Sequence, residues 1–183
     1  MAHQFTTSYI EDSLTLLRYC KSLAERAMAQ VTDDQLTQTL DPESNSIAVI
    51  VKHMAGNMRS RWTDFLTTDG EKPDRNRDSE FEAPPFTRPA LMETWESGWR
   101  WVFAALEPLT EADLARTVYI RTEPHSVMQA INRQIAHYAG HVGQIVFLAK
   151  HFRSTEWKTL SIPRGKSAAF SLKVARGETS QRA

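Results

Sequence analysis

A chain of 183 residues, 41% apolar and 24% charged, is long enough to bury a core of its own and is expected to form a single domain over 1–183. Its 22 Lys and Arg balance 22 Asp and Glu, so the formal net charge is zero, which argues against the strongly basic surface of a nucleic-acid partner. The single cysteine, Cys20, cannot close an intramolecular disulfide, the N-terminus lacks a signal-peptide pattern, and no apolar run reaches the roughly eighteen residues that span a bilayer; a cytoplasmic protein without a membrane partner is expected.

The first long helix is expected from about Thr6 to Met28. Tyr9, Ser13, Leu16, Cys20, Leu23 and Ala27 alternate at steps of four and three, the spacing of a bundle seam, and Cys20 reads there as a small buried hydrophobe. Asp33 to Leu36 forms a short turn, and Asp41-Pro42 ends any helix before it. A second long helix starts at Asn45 or Ser46 as cap and runs to about Leu66, stopped by Asp69-Gly70. Ile47, Ile50, Met54, Met58 and Phe65 make its stripe, with His53 on the edge. Asn57 and Arg61 follow at i+4 and i+8, where a helix packed only for stability would carry apolar residues. Burying an amide and a guanidinium without partners costs several kcal/mol, so this face is read as the border of a polar pocket. The alternative is that both side chains reach solvent or cap a neighbouring loop.

Gly70 to Pro85 is a long charged connection. A segment of this length serves as a crossover, letting the helices on either side run parallel, and it can set Arg77, Asp78 or Glu80 on the rim of a cleft; a solvated loop is the plainer reading. The third helix opens at Thr87 with Pro89 in its first turn and closes at Pro108, its face made of Leu91, Trp95, Trp99, Val102 and Leu106. Three tryptophans between Trp95 and Trp101 read as core and as a homodimer interface. Thr110 to Asp113 offers a capped turn, and Arg116 to Glu123 alternates weakly as a strand or hairpin arm until Pro124 breaks it.

The last long helix starts near Ser126 and ends between His151 and Arg153, with Met128, Ile131, Ile135, Tyr138, Val142, Ile145 and Ala149 at helical spacing. It carries His137 and His141 four residues apart. Residues i and i+4 stand one above the other, so both imidazoles reach one point in space, as two ligands of a shared metal ion do. The same spacing arises by chance on many helices. Gly140 and Gly143 flank His141, and each costs about 1 kcal/mol against Ala inside a helix, which close backbone approach or room for a ligand would offset. His53 supplies a third imidazole. Downstream, Trp157, Leu160 and Ile162 are expected to pack back on the bundle, and 171–183 to be a flexible, mildly basic tail after an ordered span of about 5–170.

The stretches NSIAVIVKHMAGNMRSRWTDF, DGEKPDRNRDSEF, HYAGHVGQIVFLAK and WKTLSIPRGKS, set on four amphipathic helices, resemble the DinB-like (YfiT-type) superfamily of bacterial metal-binding bundles, and more closely a branch named only as a domain of unknown function. The resemblance covers about Phe5 to Phe170. It implies an all-α four-helix bundle of up-down-down-up topology, with the long crossover between the second and third helices. It implies a divalent metal, nickel or zinc, held by His53, His137 and His141, and among active relatives a low-molecular-weight-thiol S-transferase or thiol-dependent isomerase. Three protein ligands leave open positions on such an ion. A metal-dependent hydrolase uses the same donor set, and a non-enzymatic homodimer braced by metal is the third reading. Asn57 and Arg61 are the candidates to hold a substrate carboxylate or amide. No Glu adjoins a His in sequence to serve as an evident base.

Overall fold

The computed structural model of the protein describes residues 5–83 and 87–180. The end of the charged connection, Pro84 and Pro85, and tail residues 181–183 lie outside the described residues. The fold is mostly helical, with six helices and one two-stranded ribbon among the described residues. Helix α1 spans Tyr9–Met28, three residues shorter at its start than expected, because Ser8 takes the cap position and accepts a hydrogen bond from the Glu11 N–H. Its buried face is Ile10, Leu14, Leu17, Cys20, Ala24 and Ala27. The expected seam is therefore rotated: Leu16 is exposed, and Tyr9 and Leu23 are only partly buried. Cys20 is buried as expected.

Helix α2 is Asp33–Thr37, closed by a reciprocal cap between Thr32 and Gln35. Helix α3 spans Ile47–Trp62 with Ser46 as cap. It ends four residues before Leu66. Thr63 leaves the helix in an extended conformation and Asp64 takes a φ of 46°, while the N–H groups of Thr67 and Thr68 bond back to the Asp64 carbonyl at 3.0 and 2.9 Å. The stop is thus local to Thr63-Asp64 and owes nothing to Gly70. The connection that follows contains a 3-10 turn, Asp78–Phe81. Helix α4, Arg88–Leu106, begins at Thr87 and buries Leu91, Trp95, Trp99, Val102 and Leu106, the expected face. Trp101 is 40% exposed.

A second 3-10 turn, Glu111–Ala115, leads into strands β1 (Thr117–Ile120) and β2 (Glu123–Ser126), paired antiparallel. Pro124 was expected to break this segment; it lies inside β2 opposite Tyr119. In a ribbon of two strands each strand is an edge, so a missing N–H is tolerated. The two-residue turn, Arg121-Thr122, has φ of 55° and 67° at both positions, the requirement of a tight hairpin. Helix α5 runs Val127–Arg153, capped by Ser126 and Gln129. Its buried side includes Ile131, Tyr138, Val142, Ile145 and Ala149, whereas Met128 is exposed and Ile135 only partly buried. Trp157 and Leu160 pack against the core, but Ile162 is exposed. Within the tail, helix α6 spans Ser167–Ala175, with no residue buried.

Helix α1 packs chiefly on α5, and α3 on α4. The Trp99 and Tyr138 rings meet at 5.7 Å, and Trp62 Nε1 donates to the Tyr138 hydroxyl at 2.9 Å, so α3, α4 and α5 share one aromatic layer. That layer packs one face of α5 against α3 and α4. No helix among the described residues is long and apolar enough to cross a membrane.

Candidate metal centre

Helix α3 presents His53 and α5 presents His137 and His141. The ligand nitrogens of these three residues all lie within 4.8 Å of one another. The Nε2 atoms of His137 and His141 are 3.1 Å apart. Two nitrogens bound at about 2.0–2.1 Å to one tetrahedral ion would be about 3.3 Å apart, so the spacing suits a shared ion. The His53 ring stands 4.9 Å from that of His141 and 5.5 Å from that of His137, each edge-on. The sequence expectation that three imidazoles converge from two helices is met in space.

The hydrogen bonds around the rings decide which nitrogens are free. Glu80 Oε2 lies 2.9 Å from His53 Nδ1. Burial alone would raise the Glu80 carboxyl, but hydrogen bonds from Arg75 and His53 outweigh it and hold the group below the usual carboxylate range. An ionised carboxylate only accepts, so Nδ1 of His53 carries a proton and Nε2 is the nitrogen left to face a metal. His141 Nδ1 is 2.8 Å from Gln144 Oε1, which fixes the same tautomer there. His137 Nδ1 is buried and has no hydrogen-bond partner among the described residues. Burial, then the charges of His141, His53, Arg133 and Arg61, lower the His137 pKa to about 3. Burial lowers that of His141 as well, against the Gln144 hydrogen bond. Both rings are therefore neutral at pH 7, the form that binds metal. The donor set fits a divalent ion. Since no fourth His, Cys or carboxylate joins the three among the described residues, it fits an open site better than a closed structural one.

Glu80 is itself part of a chain of charges. Its two oxygens accept from Arg75 Nε and Nη2, both at 2.8 Å. Arg75 continues to Glu71, which also accepts from Arg61 at 3.0 Å and from Arg121 at 2.9 Å. The charged connection was expected at most to rim a cleft. In fact it enters the centre: Glu80 is 6% exposed, whereas Asp78 is fully at the surface. Sequence reading had named Glu80 only as a rim residue and Arg75 not at all. One signal was available. Gly56 lies three residues after His53 inside α3, and a methyl group there would stand 2.7 Å from Glu80 Cδ. The glycine makes room for the carboxylate to reach the imidazole. Gly140 and Gly143 do something else: nothing lies within 4 Å of a Cβ at either, so no backbone approaches, and both line an open groove of about 510 Å³ together with Gln144, the hydrogen-bond partner of His141.

Asn57 and Arg61 are buried, 6% and 5% exposed, and border a polar pocket as expected. Asn57 Oδ1 accepts from Gln134 Nε2 at 2.7 Å and from the Tyr138 hydroxyl at 3.3 Å. With its oxygen so engaged, the Asn57 amide keeps its NH2 for another partner. Asn57, Arg61, His53 and His137 all line one cavity of about 190 Å³.

A search of curated proteins finds no match to the chain. A family model described as Protein of unknown function (DUF1572) matches residues 4–166, nearly the whole length, and the chain belongs to that family.

Proposed function

We propose that the protein is a divalent-metal-dependent enzyme of the DinB-like kind, an up-down-down-up four-helix bundle whose reaction is the transfer of a low-molecular-weight thiol to an electrophile. The observation that carries this reading is the convergence of three imidazoles, one ligand nitrogen from each, within 4.8 Å. His53, His137 and His141 would hold the ion, nickel or zinc. When bound, such an ion lowers the pKa of a thiol or a water so that either reacts as its anion near neutral pH.

The chain's own residues supply the rest. Glu80 keeps the His53 proton on Nδ1 and so aims Nε2 at the shared point. The Asn57 amide hydrogens and the arginines beside it orient a polar or anionic substrate group. The open groove beside Gly140 and Gly143 leaves room for the second substrate. In the net reaction the thiol sulfur bonds to an electrophilic carbon, that carbon's leaving group departs with its electron pair, and the thiol proton passes to solvent. A hydrolase acting through the same three histidines is the second reading. It is favoured by the same open donor set, with water in place of the thiol.

The test is metal content of untagged protein joined to thiol consumption. About one nickel or zinc per chain is expected, lost in His137→Ala and His141→Ala, together with turnover of a model electrophile by a small thiol. Substoichiometric metal, or turnover indifferent to these substitutions, would overturn the reading. Ester turnover without thiol consumption would move it to the hydrolase.

A further inference from the structure

Beside the three histidines the cavity of about 190 Å³ is lined by five arginines, Arg61, Arg75, Arg77, Arg121 and Arg133, and by no carboxylate. The nearby acids answer only part of that charge. Glu80 is taken by Arg75 and His53, and Glu71 is shared by Arg61, Arg75 and Arg121. Asp78 stands 3.9 Å from Arg77. Asp69 is occupied by backbone N–H groups of Glu71, Arg121 and Thr122 at 2.7–2.9 Å. Arg133, one helical turn before His137, pairs with no carboxylate among the described residues.

Unsatisfied donors point the same way. Among the described residues Arg61 Nε, a buried donor of a residue lining this cavity, has no hydrogen-bond partner. A buried donor left unpaired is unfavourable, so the wall is incomplete without an acceptor. The Asn57 NH2 adds a second donor with no hydrogen bond among the described residues. The hairpin turn carries a cost of its own. Arg121 and Thr122 adopt left-handed φ where Asn or Gly would sit without strain, and Asp69 holds both of their N–H groups. The strained turn sets the Arg121 guanidinium against the cavity while leaving its terminal nitrogens unbonded.

We propose that this cavity anchors the substrate of the metal centre by a carboxylate or phosphate group, with the substrate's reacting end at the three imidazoles. The proposal rests on the metal-enzyme reading above for its catalytic half and names the chemical class of the substrate, a small organic oxyanion. Guanidinium forks pair with the planar edge of a carboxylate or with phosphate oxygens, and the cavity's donors come from α3, α5, the hairpin and the connection. At about 190 Å³ the space is below the roughly 300–1,000 Å³ of sites for drug-sized ligands, which suits a small acid or the acidic end of a larger molecule.

The experiment is calorimetric titration of malonate and, separately, of inorganic phosphate into the full chain, chelator-stripped and zinc-reconstituted, at low ionic strength. Binding of at least one probe is expected in the stripped protein. Arg133→Gln, at an exposed position, is expected to weaken it by about ten-fold, the loss of one charge-assisted hydrogen-bonding partner. Arg77→Gln gives the same direction, and Arg100→Gln, an exposed arginine on α4, leaves it unchanged. Whichever probe binds more tightly tells carboxylate from phosphate. No binding of either probe, or equal binding by Arg133→Gln and Arg100→Gln, overturns the proposal. So does binding that requires zinc but ignores Arg133, since the anion would then sit on the ion. Arginine-dependent binding in a protein that takes up no zinc would uphold the anion site and sink the metal-enzyme reading, so the two failures are distinct.

Discussion

Helix α3 meets neighbours of opposite chemistry along its two sides. Toward α4, Ala55 and Met58 lie against Gly98, where a Cβ would be 2.9 Å from Ala55 Cα, so the two backbones approach closely over a dry contact. Toward α5 and the connection, His53, Asn57 and Arg61 follow one another at i+4, each buried and each tied to a polar group from another element. The first side is built by removing side chains until helices touch. The second is built by bringing in Glu80, Glu71 and Gln134, which pair with His53, Arg61 and Asn57 but leave Arg61 Nε unpaired at the cavity. Stability is concentrated on the first side and chemistry on the second, so substitutions on the two sides should separate the two properties.

The largest effect is expected on the dry side. Trp99 is fully buried against Tyr138 and Phe103, and Trp99→Ala should cost about 3–5 kcal/mol, read from the shift in urea midpoint. Metal bound per folded chain should stay the same. Loss of metal in the folded variant would show that the aromatic layer, not the polar network, positions the histidines. Next is Glu80→Gln, on the polar side. It keeps the shape of the side chain but removes the charge that Arg75 and His53 share, and should lower metal affinity about 10–100-fold by chelator competition. The accompanying stability loss should be about 1–3 kcal/mol. Unchanged affinity would reduce Glu80 to a fold contact.

How much of this was readable beforehand differs between the two sides for a physical reason. The face of α4, the caps at Thr87, Ser46 and Ser126, and the burial of Met54 and Met58 follow from local pattern, and the chain carries that pattern in contiguous turns. The histidine pair on α5 was legible for the same reason, since i and i+4 on a helix need no knowledge of the rest of the fold. His53 could be named beside it as a third imidazole, and the family resemblance joined it to the same ion. Glu80 and Arg75 were illegible because the connection has no period: nothing in DGEKPDRNRDSEF says which acid turns inward. The seam of α1 went astray because Leu16, Leu17, Leu23 and Ala24 offer two adjacent registers, and only packing against α5 chooses between them. End points failed where a single residue acts against its pattern, as Asp64 does in ending α3 and Pro124 does inside β2.

Acid should weaken the polar side first. In the metal-free protein the His137 pKa is lowered from 6.5 to about 3, by burial and then by the neighbouring positive charges. A folded-state value below the unfolded one means that the unfolded chain binds the proton more readily. The contribution to stability is therefore fully present above pH 6.5 and lost as pH falls from 6.5 toward about 3. Replacing His137 by Gln should flatten the melting-temperature profile over that window, and an unaltered slope would place the acid sensitivity elsewhere. The effect should be smaller than that of Trp99→Ala because His137 is only half-buried.

The smallest effects should sharpen the comparison most, because they come from one substitution made at two glycines. Gly to Ala inside a helix is worth up to about 1 kcal/mol of stability from the unfolded chain's lost freedom and helix propensity alone. At Gly140 nothing stands within 4 Å of the new methyl, so Gly140→Ala should realise that gain and leave metal affinity intact. At Gly56 the methyl meets the Glu80 carboxylate, so the same nominal gain is cancelled as Glu80 is pushed off His53, and metal affinity should fall in the direction of Glu80→Gln. Thermal melts and chelator competition on the two variants separate the cases. If Gly140→Ala also impairs thiol turnover while metal stays bound, the groove beside Gln144 is where the second substrate lies. If Gly56→Ala binds metal as tightly as the parent, the carboxylate does not govern the imidazole, and the polar side of α3 works with fewer parts than its hydrogen bonds imply.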